Sequence, residues 1–65
     1  MIGRNIKTLR LENGWTQKEL AERVGVKTGR ISAWEQGNGT PDPKMTKKLK
    51  LELGCDWDDL FDGDE

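Results

Sequence analysis

Residues 15 to 37, "WTQKELAERVGVKTGRISAWEQG", hold two helical segments separated by only a few residues. Thr16 and Glu19 occupy the two positions of a reciprocal capping box, in which each side chain satisfies a backbone N–H that a helix start leaves unpaired. Trp15 and Leu20 take the staple positions that fix the angle of the entering chain. Four residues thus agree on one helix start. Leu20, Ala21 and Val24 form its inward face, and Gly25 ends it. After a turn of three or four residues, "KTGRISAWEQG" makes a second helix with Ile31 and Trp34 inward and Gly37 as its stop. Two helices crossing steeply over so short a turn need a small residue at the approach, a residue tolerant of positive φ in the turn, and apolar anchors on both. Ala21, Gly25 and the set Leu20, Val24, Val26, Ile31 and Trp34 meet these needs.

The same punctuation extends in both directions. Upstream, Ile2, Ile6 and Leu9 lie four and three apart, one stripe of a first helix that stops near Gly14. Downstream, "NGTPDP" is a run of turn formers in which Asp42 is the natural N-cap and Pro43 the first helical residue. Met45, Leu49 and Leu53 line a fourth helix. In "CDWDDLF", Asp56 is the expected cap, Asp59 the box residue, and Cys55 with Leu60 a staple. Nothing alternates with period two, so the fold expected is all-α: five helices in one domain over residues 1–65, with an acidic tail over 61–65.

Charge is divided along the chain more sharply than the net value of −1 suggests. Residues 1–50 carry eleven Lys and Arg against five acids, a balance of +6, whereas residues 51–65 carry seven acids and no base. Such asymmetry points to a polyanion-binding face at one end and an acidic segment at the other. No apolar run is long enough for a signal peptide or a membrane span, and a cytoplasmic location with no membrane partner is expected. A single Cys and no His argue against an internal disulfide, a metal site or a thiol–imidazole pair, and Cys55 is expected as a small buried apolar side chain. No cofactor is expected and no catalytic set is visible, since the acids stand at helix starts where capping explains them.

The helix, turn and helix over Gln17–Gln36 form the helix-turn-helix pattern. From "WTQKELAERVGVKTGRISAWEQGNGTPDP" through "LELGCDWDDLF" the chain resembles the Cro-like, phage-repressor-type family, also called Xre-like, a five-helix, lambda-repressor-like DNA-binding fold. The likeness runs from Ile6 to Phe61, with "TQKELAERVGV", Ile31, Glu35, Gly37, Pro41, Gly54 and "DDLF" in order and without a gap.

That resemblance implies a division of labour. Gln17, with Lys18 beside it, would face a DNA phosphate at the positive end of its helix. Lys27, Thr28, Gly29, Ser32 and Ala33, flanked by Arg30, would read base edges in the major groove. Gly29, with no Cβ, would let the backbone approach the groove floor at a cost of roughly 1 kcal/mol of helix propensity. Lys27 suits guanine, Thr28 and Ser32 several bases, and Ala33 a thymine methyl; with no Asn or Gln in the first two turns, specificity would lean on DNA shape. The plainer readings are a helix-start irregularity for Gly29 and a capping role for the Thr28 hydroxyl. Gln36, Asn38, Gly39 and Thr40 would serve phosphates from the loop, or simply be solvated. Of the basic fourth helix only Lys44, near its start, would reach DNA.

Other residues are read as architecture. The family often pairs an Arg in the first helix with a Glu at the end of the third, which implies an Arg10–Glu35 tie. Trp15, Trp34 and Trp57 stand where relatives have aliphatic core residues and are expected to pack. Lys50 departs from the small apolar residue usual at its position, and Lys27 from a Ser cap. Leu11 and Leu51 fall off the core stripes; with Trp57 and Phe61 they are candidates for a dimer patch, with scattered surface leucines as the alternative. The function expected is a sequence-specific regulator of transcription, a repressor, binding double-stranded DNA as a homodimer on a pseudo-palindromic operator. The alternative is an antitoxin or anti-repressor module on the same fold, with a protein partner docked through the acidic C-terminal end.

Overall fold

A computed structural model describes residues 2–61, and residues 62–65 of the acidic tail lie outside the described part. Five helices follow in order: α1 (Ile2–Glu12), α2 (Gln17–Val24), α3 (Thr28–Glu35), α4 (Pro43–Leu53) and α5 (Trp57–Phe61), with no strand among the described residues. The expected starts of α2 and α4 are made as read. The Thr16 hydroxyl accepts from Glu19 N–H at 3.0 Å while Glu19 Oε1 accepts from Thr16 N–H at 2.8 Å. Asp42 Oδ1 accepts from Met45 N–H at 2.8 Å, with Pro43 opening α4. At α5, Asp59 Oδ2 accepts from the Asp56 N–H at 3.0 Å, the returning half of a box.

Helix ends are equally local. Gly25, at φ 78°, closes α2, and its N–H and that of Val26 both donate to Ala21 O. α3 ends in a Schellman arrangement: Gly37 takes φ 83°, Gly37 N–H donates to Trp34 O and Asn38 N–H to Ala33 O. Only glycine adopts such angles without strain, so the stop is encoded in one residue.

The helices enclose one apolar cluster. Ile6, Leu20, Ala21, Val24, Ile31, Trp34, Leu49, Leu53 and Leu60 are buried, with Ile2, Leu9, Trp15, Val26, Met45 and Cys55 packed on its margin. Every helix contributes, which is how so short a chain assembles a core. Two contacts tie α1 to its neighbours: Asn5 Nδ2 donates to Leu60 O at 2.6 Å, and Gly3 lies so close to α3 that a Cβ there would fall 1.8 Å from the Trp34 carbonyl oxygen.

Two expectations are corrected. Trp57 does not join the core: it is 46% exposed, stacks on Phe61 with ring centroids 6.3 Å apart, and carries the Lys50 ammonium 5.6 Å from its ring centre. Leu60, one turn away, fills the buried position of α5. Cys55 is half-buried, and burial, helped by the nearby Asp59 charge, pushes its thiol up and leaves it a poor nucleophile.

Candidate nucleic-acid interface

α3 has two faces. Ile31 and Trp34 are buried, while Gly29, Ser32, Ala33 and Gln36, at spacings i, i+3, i+4 and i+7, form the opposite stripe. Gly29 and Gln36 are exposed, and Ser32 and Ala33 are half-buried. The glycine is not required by the fold: its φ is ordinary, and a Cβ built there meets nothing within 4 Å. Small side chains therefore make the outward surface of α3 close to bare backbone over its first two turns.

The start of α3 bears on the capping alternative for Thr28. Lys27 is the N-cap residue, in an extended conformation and with no side-chain capping bond. Thr28 is the first helical residue, and its hydroxyl makes no hydrogen bond among the described residues. The capping reading of Thr28 does not hold, and the group is left facing solvent. Lys27 and Arg30 are exposed beside it and, with Gly25 and Val26, line an open depression at the turn. The Arg30 guanidinium lies 5.5 Å from the centre of the Trp34 ring, which places it along the helix rather than loose in solvent.

Gln17 opens α2 and is half-buried. Its Nε2 donates to Glu35 Oε1 at 3.0 Å. The same carboxylate accepts from Arg10 Nε at 2.7 Å and from Arg10 Nη2 at 3.0 Å, while Arg10 Nη1 donates to Trp15 O at 2.8 Å. The Arg10 and Glu35 side chains are 8% and 3% exposed, so the expected pair is present and buried. A charge so deep is tolerated because its partners are complete: fork-to-fork contact with Arg10 and a third donor from Gln17. Lys18, next along α2, is fully exposed.

The loop after α3 presents Gln36, Asn38, Gly39 and Thr40 at the surface, and Lys44 is exposed in the first turn of α4. Gln36 Nε2 donates to Ser32 Oγ at 3.1 Å and Asn38 Nδ2 to Gln36 Oε1 at 3.4 Å, so Gln36 is bonded to the outer stripe of α3 as well as to the loop. The sequence reading missed this row, the Gln17–Glu35 bond and the Gly3 contact. Only the first had a signal, since Ser32 and Gln36 stand one helical turn apart.

A helix-turn-helix family model matches residues 6–60. The chain belongs to the Cro-like, Xre-like helix-turn-helix family. Among curated relatives, the HTH-type transcriptional regulator YqaF of Bacillus subtilis is 32% identical over 62 residues, 95% of this chain and 82% of the relative. An HTH-type regulator of Archaeoglobus fulgidus is 37% identical over 60 residues, 92% of this chain and 84% of the relative. Antitoxin HipB of Escherichia coli K12 is 50% identical over 46 residues, 71% of this chain and 50% of the relative. The chain thus spans about half the length of some relatives, including the competence pilus inhibition repressor of Acinetobacter baylyi at 54%. No solved structure gives a significant match. The chain is thus a helix-turn-helix protein of a family of transcriptional regulators. Among the described residues, no helix is long and apolar enough to cross a membrane.

Proposed function

We propose that the chain represses transcription by occupying a pseudo-palindromic operator as a homodimer, with α3 of each copy in the major groove and the two helices about 34 Å apart. The observation that carries the reading is the outer stripe of α3. Glycine at position 29 costs helix stability and serves no internal contact, so its use lies outside the fold. Lys27, Thr28, Gly29, Ser32 and Ala33 face the bases, with Arg30 beside them, while Gln17, Lys18, Gln36, Asn38, Thr40 and Lys44 surround them as backbone contacts. For the second copy, the groove bordered by Ile2, Pro41, Pro43, Trp57 and Phe61 offers exposed aromatic surface. Leu51 lines a different depression, with Val24, Gly25 and Lys48.

The test is selection of DNA from a random pool, repeated over a salt series. A two-fold symmetric motif and a steep fall of affinity with salt are expected. A weak preference with no symmetry, or an affinity indifferent to salt, defeats the proposal.

A second reading has its own support in the similarity to Antitoxin HipB. Here the fold would bind a protein partner, with the acidic C-terminal end as the docking element, where Asp56, just before α5, and Asp58 and Asp59 within it are exposed. Stoichiometric capture of a partner that survives deletion of α3 surface charges would favour it.

A further inference from the structure

The polar row on the outside of α3 has a direction. Gln36 gives its oxygen to the Asn38 amide, which leaves its NH2 group for Ser32, and that group donates to Ser32 Oγ at 3.1 Å. A serine hydroxyl has one hydrogen and two lone pairs. With one lone pair taken by Gln36, and with no hydrogen bond donated by Ser32 among the described residues, the hydroxyl hydrogen is left for whatever faces the helix.

We infer that Gln36 is a positioning residue for sequence readout: it holds Ser32 as a hydrogen-bond donor toward the base edge. The inference rests on the groove reading of α3 proposed above and adds to it a determinant outside the first two turns. In the major groove the acceptors are guanine N7 and O6, adenine N7 and thymine O4, whereas cytosine N4 and adenine N6 are donors. A serine free to rotate serves either kind. One whose lone pair is occupied by an amide N–H favours the acceptors. In solution the Ser32–Gln36 bond is exposed and contributes little, but once the groove excludes water its weight rises.

A Gln36 that only touched phosphate would behave differently, since backbone contacts strengthen binding to all sequences alike. Base preference therefore separates the two roles, and a merely structural role would not move it. The experiment is random-pool selection with the full chain and with Ser32→Ala, Gln36→Met, Gln36→Glu and the Ser32→Ala/Gln36→Met double variant. Gln36 is exposed and Ser32 half-buried on the outer stripe, and matching thermal melts establish that each variant is folded.

Ser32→Ala and Gln36→Met are expected to change preference at one and the same base pair, by about fivefold, the worth of one ordinary hydrogen bond, and the double variant to match Ser32→Ala there. In Gln36→Glu the carboxylate takes the serine hydrogen, lone pairs face the groove, and preference at that base pair moves toward an amino-bearing base over a general loss from the added negative charge. A Gln36→Met motif unchanged at every position, a loss uniform over all sequences, or changes at different base pairs for the two residues overturns the inference alone. A parent chain that selects no motif overturns the groove reading and the inference with it.

Discussion

Gln17 Nε2 lies 3.0 Å from Glu35 Oε1, so the first residue of α2 and the last residue of α3 are tied through a buried carboxylate. The carboxylate is anchored in turn by Arg10 from α1. One acceptor group therefore fixes three helices relative to one another, and it does so directly behind the stripe that faces outward. An amide held by one N–H still has a second to offer, so in the proposed complex Gln17 would serve both the core and a phosphate.

Removing either partner strands the other. Glu35→Ala leaves the Arg10 guanidinium buried without its anion, and a loss of about 3–5 kcal/mol is expected. A chain of this size has only roughly 3–10 kcal/mol of total stability. Urea denaturation should find the Glu35→Ala midpoint far below that of the parent chain, whereas Gln17→Leu, which removes a neutral donor from the charged carboxylate, should cost about 1.5–3 kcal/mol.

Gly29→Ala separates stability from function. The new methyl enters open space on an ordinary helical backbone, so the thermal midpoint should rise, by up to about 1 kcal/mol of added stability. Affinity for the selected operator should fall. A variant that is more stable and binds equally well would return Gly29 to an accident of the helix start.

At Gly3 the opposite holds. An added Cβ would collide with the Trp34 carbonyl oxygen, and a backbone atom cannot move aside as a side chain can. Gly3→Ala should therefore force α1 away from α3 and cost about 1–3 kcal/mol. Circular dichroism melts of the two glycine variants, run side by side, should move in opposite directions.

Acid sensitivity should centre partly on α2. Glu19 is held below its ordinary value, first by the Thr16 backbone N–H that it accepts and then by the Thr16 side chain. A depressed carboxylate contributes stability that is full above its unfolded value and is lost as pH falls through the lower folded one. Stability measured from pH 7 down to 3 should decline more gently in Glu19→Gln than in the parent chain. Thr16→Ala, which removes the other half of the box, should cost about 1 kcal/mol at neutral pH.

Most of the architecture could be read before any coordinates because its instructions are short-range. The box of Thr16 and Glu19 lies within four residues, the Asp42–Met45 start of α4 within another four, and the glycine stops need only their own φ. The inward face of α3, Ile31 and Trp34, was legible through periodicity, as was most of the buried set, whereas the outward residues of α3 were named through family likeness. What escaped was non-local. Gly3 is dictated by a carbonyl 31 positions away, and nothing near it in sequence announces that demand. The Gln17–Glu35 bond joins residues 18 apart, and the Arg10–Glu35 pair was available only through family likeness. Trp57 misled because size and hydrophobicity describe a residue suited to the core, while Leu60 already fills the one buried position that five-residue α5 provides.

The open space above Gly29 bears on how such a protein diversifies. Because position 29 opens on empty space on the side of α3 away from Ile31 and Trp34, a side chain gained there would, under the groove reading proposed above, change the genomic address of a descendant without entering the core. The buried framework would pass through that change intact, and new targets would be reached without first rescuing a damaged scaffold.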